Sequence, residues 1–265
     1  MNIEKFYQDL DALFAEKRVD KVEAFLLDAI AKAEAAEEHA MIVAACNELG
    51  GLYRMLSRYE EGLPLYEKAL YSLKRIGESD SENYATTLIN YATILSMSGK
   101  HEEALEKYKE AVLLLQLHGA EDDYRMAALY NNMSGIYRAK GDFETAATYI
   151  HKAVLILQKL SESEAEIAIS YSNLAGLYIM LKDMENAEKY AKEAVGIFRS
   201  KVGTQDVHYS ASLCTLGEVQ FAKGEYAEAE ELFSEALQLI ARDYGTGTDS
   251  YKIVEKNLKL CQERK

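Results

Sequence analysis

Residues 222–237 read AKGEYAEAEELFSEAL. Gly224 stands where one helix would end in the left-handed conformation, and Tyr226 with the acids around it opens the next. Within that second helix Ala229 and Ala236 fall seven residues apart on one face, with larger apolar side chains between them. The stretch therefore reads as the bend and second helix of a hairpin closed on small residues, which let two helices approach closely.

Working outward, the same bend recurs as SRYEE, SGKHEE, AKGDFE and LKDMEN. The small residue behind it recurs as Gly62, Ala104, Ala146, Ala187 and Ala229, at spacings of 42, 42, 41 and 42 residues. Seven residues further on stand Ala69, Ala111, Ala153, Ala194 and Ala236. Twelve residues before the first series stand Gly50, Ala92, Ser134, Ala175 and Gly217. Self-similarity at a fixed period of this length marks an array of supersecondary units, each too small to bury its own apolar face. The expected fold is all-α, an α-solenoid of stacked antiparallel helix hairpins forming a right-handed superhelix of about thirteen helices.

Three boundaries follow. Residues 1–38 read as a degenerate N-terminal hairpin with Ile3, Phe6, Leu10 and Leu13 on one stripe, residues 39–243 as five repeats, and residues 244–265 as a C-terminal capping helix. In that cap Tyr251, Val254, Leu258 and Cys261 would face the last repeat, with Lys252, Lys256, Lys259 and Arg264 outward. Two local features predict strain. Ser57 and Lys182 occupy the bend position that is glycine at 99, 141 and 224. Pro64 lies beyond the first turn after Tyr59, where proline removes a helical hydrogen bond, so that helix should start late or bend.

Composition narrows the function. Hydrophobic residues make up 49% of the 265, there is one proline, and the formal net charge is −14. A surface so acidic opposes binding to a phosphate backbone, so no nucleic acid is expected. No apolar run approaches the length of a membrane span, and the N-terminus has acids within its apolar stretch, so neither membrane nor signal peptide is expected. Cys46, Cys214 and Cys261 lack metal-type spacing and read as three buried thiols of a cytoplasmic protein. The five histidines are isolated, and HEEAL at 101–105 lacks the second histidine of a zinc-protease motif. Nothing in the sequence calls for a cofactor or for catalysis.

NELGGLY at 47–53, SNLAGLY at 172–178 and AKGEYAEAEELFSEAL at 222–237 resemble the tetratricopeptide repeat family, and the 42-residue period resembles its longer-helix variant in kinesin light chains. The resemblance covers roughly residues 39–243. It implies that first helices line a concave surface, second helices a convex one, and that asparagines in the groove hold an extended peptide.

Helical geometry places candidates on the open face of the first helices: Asn47, Gly51 and Arg54; Asn90, Thr93 and Met97; Asn131 or Asn132, Gly135, Arg138 and Ala139; Asn173, Gly176 and Met180. An asparagine amide offers the donor and acceptor that a peptide backbone needs. Arg54, Arg58 and Arg138 could each meet a carboxylate of a ligand bidentately, or each pair with nearby acids of the chain such as Glu48. In the fifth unit Cys214, Thr215, Glu218 and Phe221 take these places, so the asparagine series stops. The alternative is that the asparagines bond between adjacent first helices and stiffen the array. The expected function is a non-enzymatic adaptor that binds a protein or peptide ligand, as a monomer or weak homo-oligomer. A peptide-sensing regulator and a self-assembling scaffold are the alternatives.

Overall fold

The computed structural model describes residues 2–16 and 18–264. Among them thirteen α-helices follow one another with no strand. They are α1 (Ile3–Ala15), α2 (Val19–Ala35), α3 (His39–Met55), α4 (Tyr59–Arg75), α5 (Glu82–Met97), α6 (His101–Leu117) and α7 (Tyr124–Ala139). Then come α8 (Phe143–Leu157), α9 (Glu164–Met180), α10 (Met184–Ile197), α11 (Tyr209–Lys223), α12 (Tyr226–Tyr244) and α13 (Asp249–Arg264). A wider π turn, Phe198–Val202, extends α10. Asn2, Ser81, Asp123, Asp142 and Asp183 each accept a backbone N–H of the turn that follows. These caps satisfy donors that a helix start leaves without an internal partner.

The chain divides into two compact units, Met1–Glu121 and Asp122–Lys265. In the first, α1 packs on α2, α3 on α4 and α5 on α6, while α2 against α3 and α4 against α5 join the pairs. In the second, α7 pairs with α8, α9 with α10 and α11 with α12, and α13 lies on α12.

The small-residue registers are contact registers. Every alanine in them is fully buried. A Cβ on Gly50 would lie 2.6 Å from the ring of Tyr66, and one on Gly217 would lie 2.8 Å from the ring of Phe233. Both rings are buried, so neither has room to retreat. Large apolar side chains fill the space left between the close approaches. Phe6, Leu26, Met41 and Leu49 do so in the first unit, and Ile150, Leu174, Phe198 and Leu213 in the second. Burial of each such side chain contributes about 1.5–3 kcal/mol. On α13, Val254 and Cys261 are buried and Tyr251 and Leu258 half-buried against the last cluster, with Lys252, Lys256, Lys259 and Arg264 exposed.

The bends turn as their residues demand. Gly99, Gly141 and Gly224 have φ of 83, 79 and 84°. Ser57 and Lys182 are held in the same left-handed region at 58 and 61°, and so are Glu37 and Glu162, between hairpins, at 52 and 59°. A side chain there costs roughly 1–2 kcal/mol. Pro64 corrects the sequence reading: α4 is helical from Tyr59 onward, with the proline inside it, so its start is not late. Pro64 is exposed and so is Glu60, whose carbonyl loses its partner, and water can serve that oxygen.

Two substitutions test this account by chemical denaturation. Lys182→Gly should raise stability by about 1 kcal/mol by relieving the left-handed bend, net of glycine's greater freedom when unfolded. Ala146→Leu should lower it by about 1–3 kcal/mol by overpacking. An unchanged midpoint for the leucine variant would mean that this register is not a contact.

Candidate functional site

Let the small residue of each first helix (Gly50, Ala92, Ser134, Ala175, Gly217) mark position zero. Three residues before it stand Asn47, Ile89, Asn131, Ser172 and Cys214; two residues before it stand Glu48, Asn90, Asn132, Asn173 and Thr215. One residue is about 100° of rotation on a helix, so the two registers look in different directions. The candidate asparagines are split between them.

The register at minus three bonds to the next first helix. Asn47 Nδ2 donates to Val43 O on its own helix and to Thr87 Oγ1 on α5, both at 3.1 Å. Asn131 Nδ2 lies 3.5 Å from Ser170 Oγ on α9, and the hydroxyls of Ser172 and Ser212 on α11 lie 2.6 Å apart. Thr87, Ser170 and Ser212 all stand five residues before their own position zero, and all three are buried. Buried hydroxyls require partners, and this ladder supplies them. Asn47 and Asn131 each retain a buried Oδ1 with no partner.

The register at minus two is different. Asn132 and Asn173 are exposed and Asn90 is half-buried, and among the described residues none of the three has a side-chain hydrogen bond. Three residues after Glu48, Asn132 and Asn173, a Cβ added to Gly51, Gly135 or Gly176 would meet nothing within 4 Å, and Thr93 holds that place after Asn90. The fold does not require glycine there, although glycine inside a helix costs about 1 kcal/mol relative to alanine. Asn131, Gly135, Arg138 and Asn173 line a concavity of about 160 Å³ in the second unit. In the first unit Asn47, Glu48 and Asn90 line one of about 510 Å³, with Ile3 and Tyr7 of α1 on its wall. The role of α1 and of Glu48 escaped sequence reasoning, although Glu48 occupies the asparagine position of its unit.

The arginines also separate. Arg138 is exposed and, among the described residues, has no acid partner. Arg54 is half-buried and its Nε has none either. Arg58 pairs with acids of the chain, the second of the two outcomes open to it in sequence. Its Nε and Nη2 meet Glu61 at 2.7 and 2.6 Å and its Nη1 meets Glu23 at 3.0 Å. Its guanidinium also lies 4.2 Å from the centre of the Tyr53 ring. Tyr53 donates its hydroxyl to the same Glu23 at 2.9 Å. Arg58 and then Tyr53 hold the Glu23 carboxyl below its usual range. This is a clasp within the fold, which uses three of the five guanidinium N–H donors and pairs the charge with two carboxylates.

The remaining reactive groups are quiet. Cys46, Cys214 and Cys261 are free thiols; Cys214 is half-buried, against the expectation that all three are buried. Burial pushes the Cys46 and Cys214 thiols up to about 12, which keeps them protonated at neutral pH. His151 sits edge-on to Tyr178 and Tyr190, with Nε2 3.1 Å from the Tyr178 hydroxyl, and burial followed by Lys189 lowers its affinity for a proton. Among the described residues no three His, Cys, Asp or Glu side chains gather as a metal set, and no helix is long and apolar enough to cross a membrane.

Helix pairs closed on small residues and repeated about every 42 residues define an α-solenoid of hairpin repeats, a class of scaffold for contacts between proteins. The sequence profile of the tetratricopeptide repeat matches residues 40–115, 125–200 and 166–242, and the chain belongs to that family. Among solved structures it is similar to BtubC (BKLC) from P. vanneervenii, with 22% identity and a TM-score of 0.73 over 87% of this chain and 94% of that one. A kinesin-light-chain-like protein of Podosopora anserina with nearly identical TPR-like repeats is 19% identical, with a TM-score of 0.64 over 76% of this chain and 96% of that one. The apo form of the quorum sensor NprR from B. thuringiensis is 15% identical, with a TM-score of 0.71 over 97% of this chain and 68% of that one. No curated protein matches the chain in sequence.

The two registers predict opposite responses to alanine. Asn47→Ala leaves the buried Thr87 hydroxyl unpaired and should cost about 1–3 kcal/mol in urea unfolding. Asn132→Ala and Asn173→Ala should leave stability unchanged or raise it by a few tenths of a kcal/mol, since alanine is the better helix former. Equal losses in all three variants would remove the distinction.

Proposed function

We propose that the chain is a non-enzymatic adaptor whose first-helix faces hold an extended segment of a partner protein. One observation carries the reading: Asn132 and Asn173 present unpartnered amides beside Gly135 and Gly176, helix glycines that the fold does not need, and Asn90 presents a third such amide beside Thr93. A donor and an acceptor on each amide match a peptide backbone irrespective of its side chains. Room beside Gly51, Gly135 and Gly176 lets that backbone come close. Arg54 and Arg138 add cationic donors, while Asn47 and Asn131 hold the ladder. Three free thiols support a reducing, cytoplasmic setting.

A second reading is a peptide-sensing regulator, in which the bound segment changes how successive hairpins sit. The likeness of fold to the quorum sensor NprR supports it.

The test is a pull-down with mass spectrometry, followed by affinity measurement on the captured partner with wild type and an Asn132→Ala/Asn173→Ala double variant. Affinity should fall by about 0.5–1.5 kcal/mol per lost hydrogen bond while the melting temperature holds. Unchanged affinity would leave these asparagines without a part in binding. A change in small-angle scattering on adding the partner segment would favour the regulator over the passive adaptor.

A further inference from the structure

The two concavities differ in the charges that line them. That of the second unit contains one charged side chain, Arg138. That of the first contains two, the carboxylates Glu48 and Glu78, and among the described residues neither lysine nor arginine. Glu78 is engaged, accepting from Ser81 Oγ and Asn83 Nδ2 at 3.3 Å each. Glu48 is half-buried on α3 and, among the described residues, has neither a hydrogen bond nor an ion pair. The charge that acts on it is another carboxylate, Asp11 of α1.

Around Glu48 the free valences are its own carboxylate oxygens and the Asn90 amide, which offers both a donor and an acceptor. Both donor contacts of Asn47 are made within the fold, and its Oδ1 is buried without a partner. Beside these groups lie exposed apolar surfaces, Ile3 at 41%, Tyr7 at 39% and Ile76 at 41%. A basic side chain is the complement of that arrangement: an aliphatic stem that covers apolar surface, ending in a cation that only donates. We infer that the concavity walled by α1, α3 and α5 receives a lysine or arginine side chain of the bound segment, with the cation against Glu48. This rests on the reading of these faces as peptide-binding and adds the charge of what is bound.

Electrostatics supports the same assignment. Burial, then Asp11, pushes the Glu48 carboxyl above its usual range. The titratable groups it interacts with are Asp11 and Tyr7 on α1 and Tyr66 on α4, and none of them is a cation. A carboxyl raised in the folded state contributes stability below its unfolded value and loses it as pH rises through the folded one. Glu48 therefore works against the fold at neutral pH, and glutamine in its place should be tolerated. A cation placed beside it favours the ionised form, so affinity should rise with pH through that raised range.

The experiment pans the full chain against a displayed library of random decapeptides. The selected peptides should be enriched in lysine or arginine at one position, and replacing a selected lysine by norleucine should weaken binding about tenfold at low salt. On a Glu48→Gln chain of unchanged melting temperature that difference should vanish. On a Glu106→Gln control, altered on an exposed site of α6, it should persist. Peptides that bind with no basic preference, or a norleucine effect that survives Glu48→Gln, would overturn the inference while leaving the peptide-binding reading standing. A library that yields no binder at all would overturn both.

Discussion

The ring of Phe233 occupies the space that a methyl group on Gly217 would need, and Tyr66 stands in the same relation to Gly50. In these two pairs, contact between a side chain of the second helix and the bare backbone of the first sets how near the two axes come. Fully buried alanines repeat that closeness further along each pair. Once this spacing is fixed, little else is free. The large apolar side chains must lie in the gaps between close approaches, and the polar remainder of each first helix must turn away from its partner. The faces that could meet a ligand are what this contact leaves over.

On those faces adjacent residues do different work. Asn131 turns toward the next first helix and Asn132 toward open space. The pair looks redundant in sequence, and asparagine is a poor helix former at either place. The first offsets its cost by satisfying a buried hydroxyl. The second has no return from within the fold, and this is the reason for looking outside the chain for its partner. The same logic applies to Gly51, Gly135 and Gly176.

Much of this was legible before any coordinates. Small residues repeating every 41 or 42 positions announce helix pairs, because only close packing demands smallness at a fixed interval. The strain at Ser57 and Lys182 was legible for a similar reason, since one bend geometry recurs and departures from glycine stand out. What was not legible depended on direction at the scale of one residue. A rotation of about 100° separates ladder from open face, and an asparagine series blurred by one position spans both. Arg58 stayed undecided in sequence because its partners are Glu23, thirty-five residues earlier on another hairpin, and Glu61 in the first turn of the helix it caps. Periodicity does not choose between those and a ligand. The late start expected at Pro64 did not occur, because a rule about lost hydrogen bonds says nothing of which side of the helix is wet.

The glycines of the bends and the glycines of the helices carry different kinds of debt to the fold. At Gly99, Gly141 and Gly224 an added Cβ would touch nothing within 4 Å, so what the site demands is a backbone angle. Another residue can meet that demand at a graded cost, as serine and lysine already do in two bends. At Gly50 and Gly217 the demand is for empty volume beside a ring that cannot move. Mutational drift should therefore erode the array from its corners, one bend at a time, while the two glycines under a ring change only together with the ring that fills their space, as the alanine and serine of the other three units imply. A repeat of this kind would fade from recognition by sequence well before it ceased to fold.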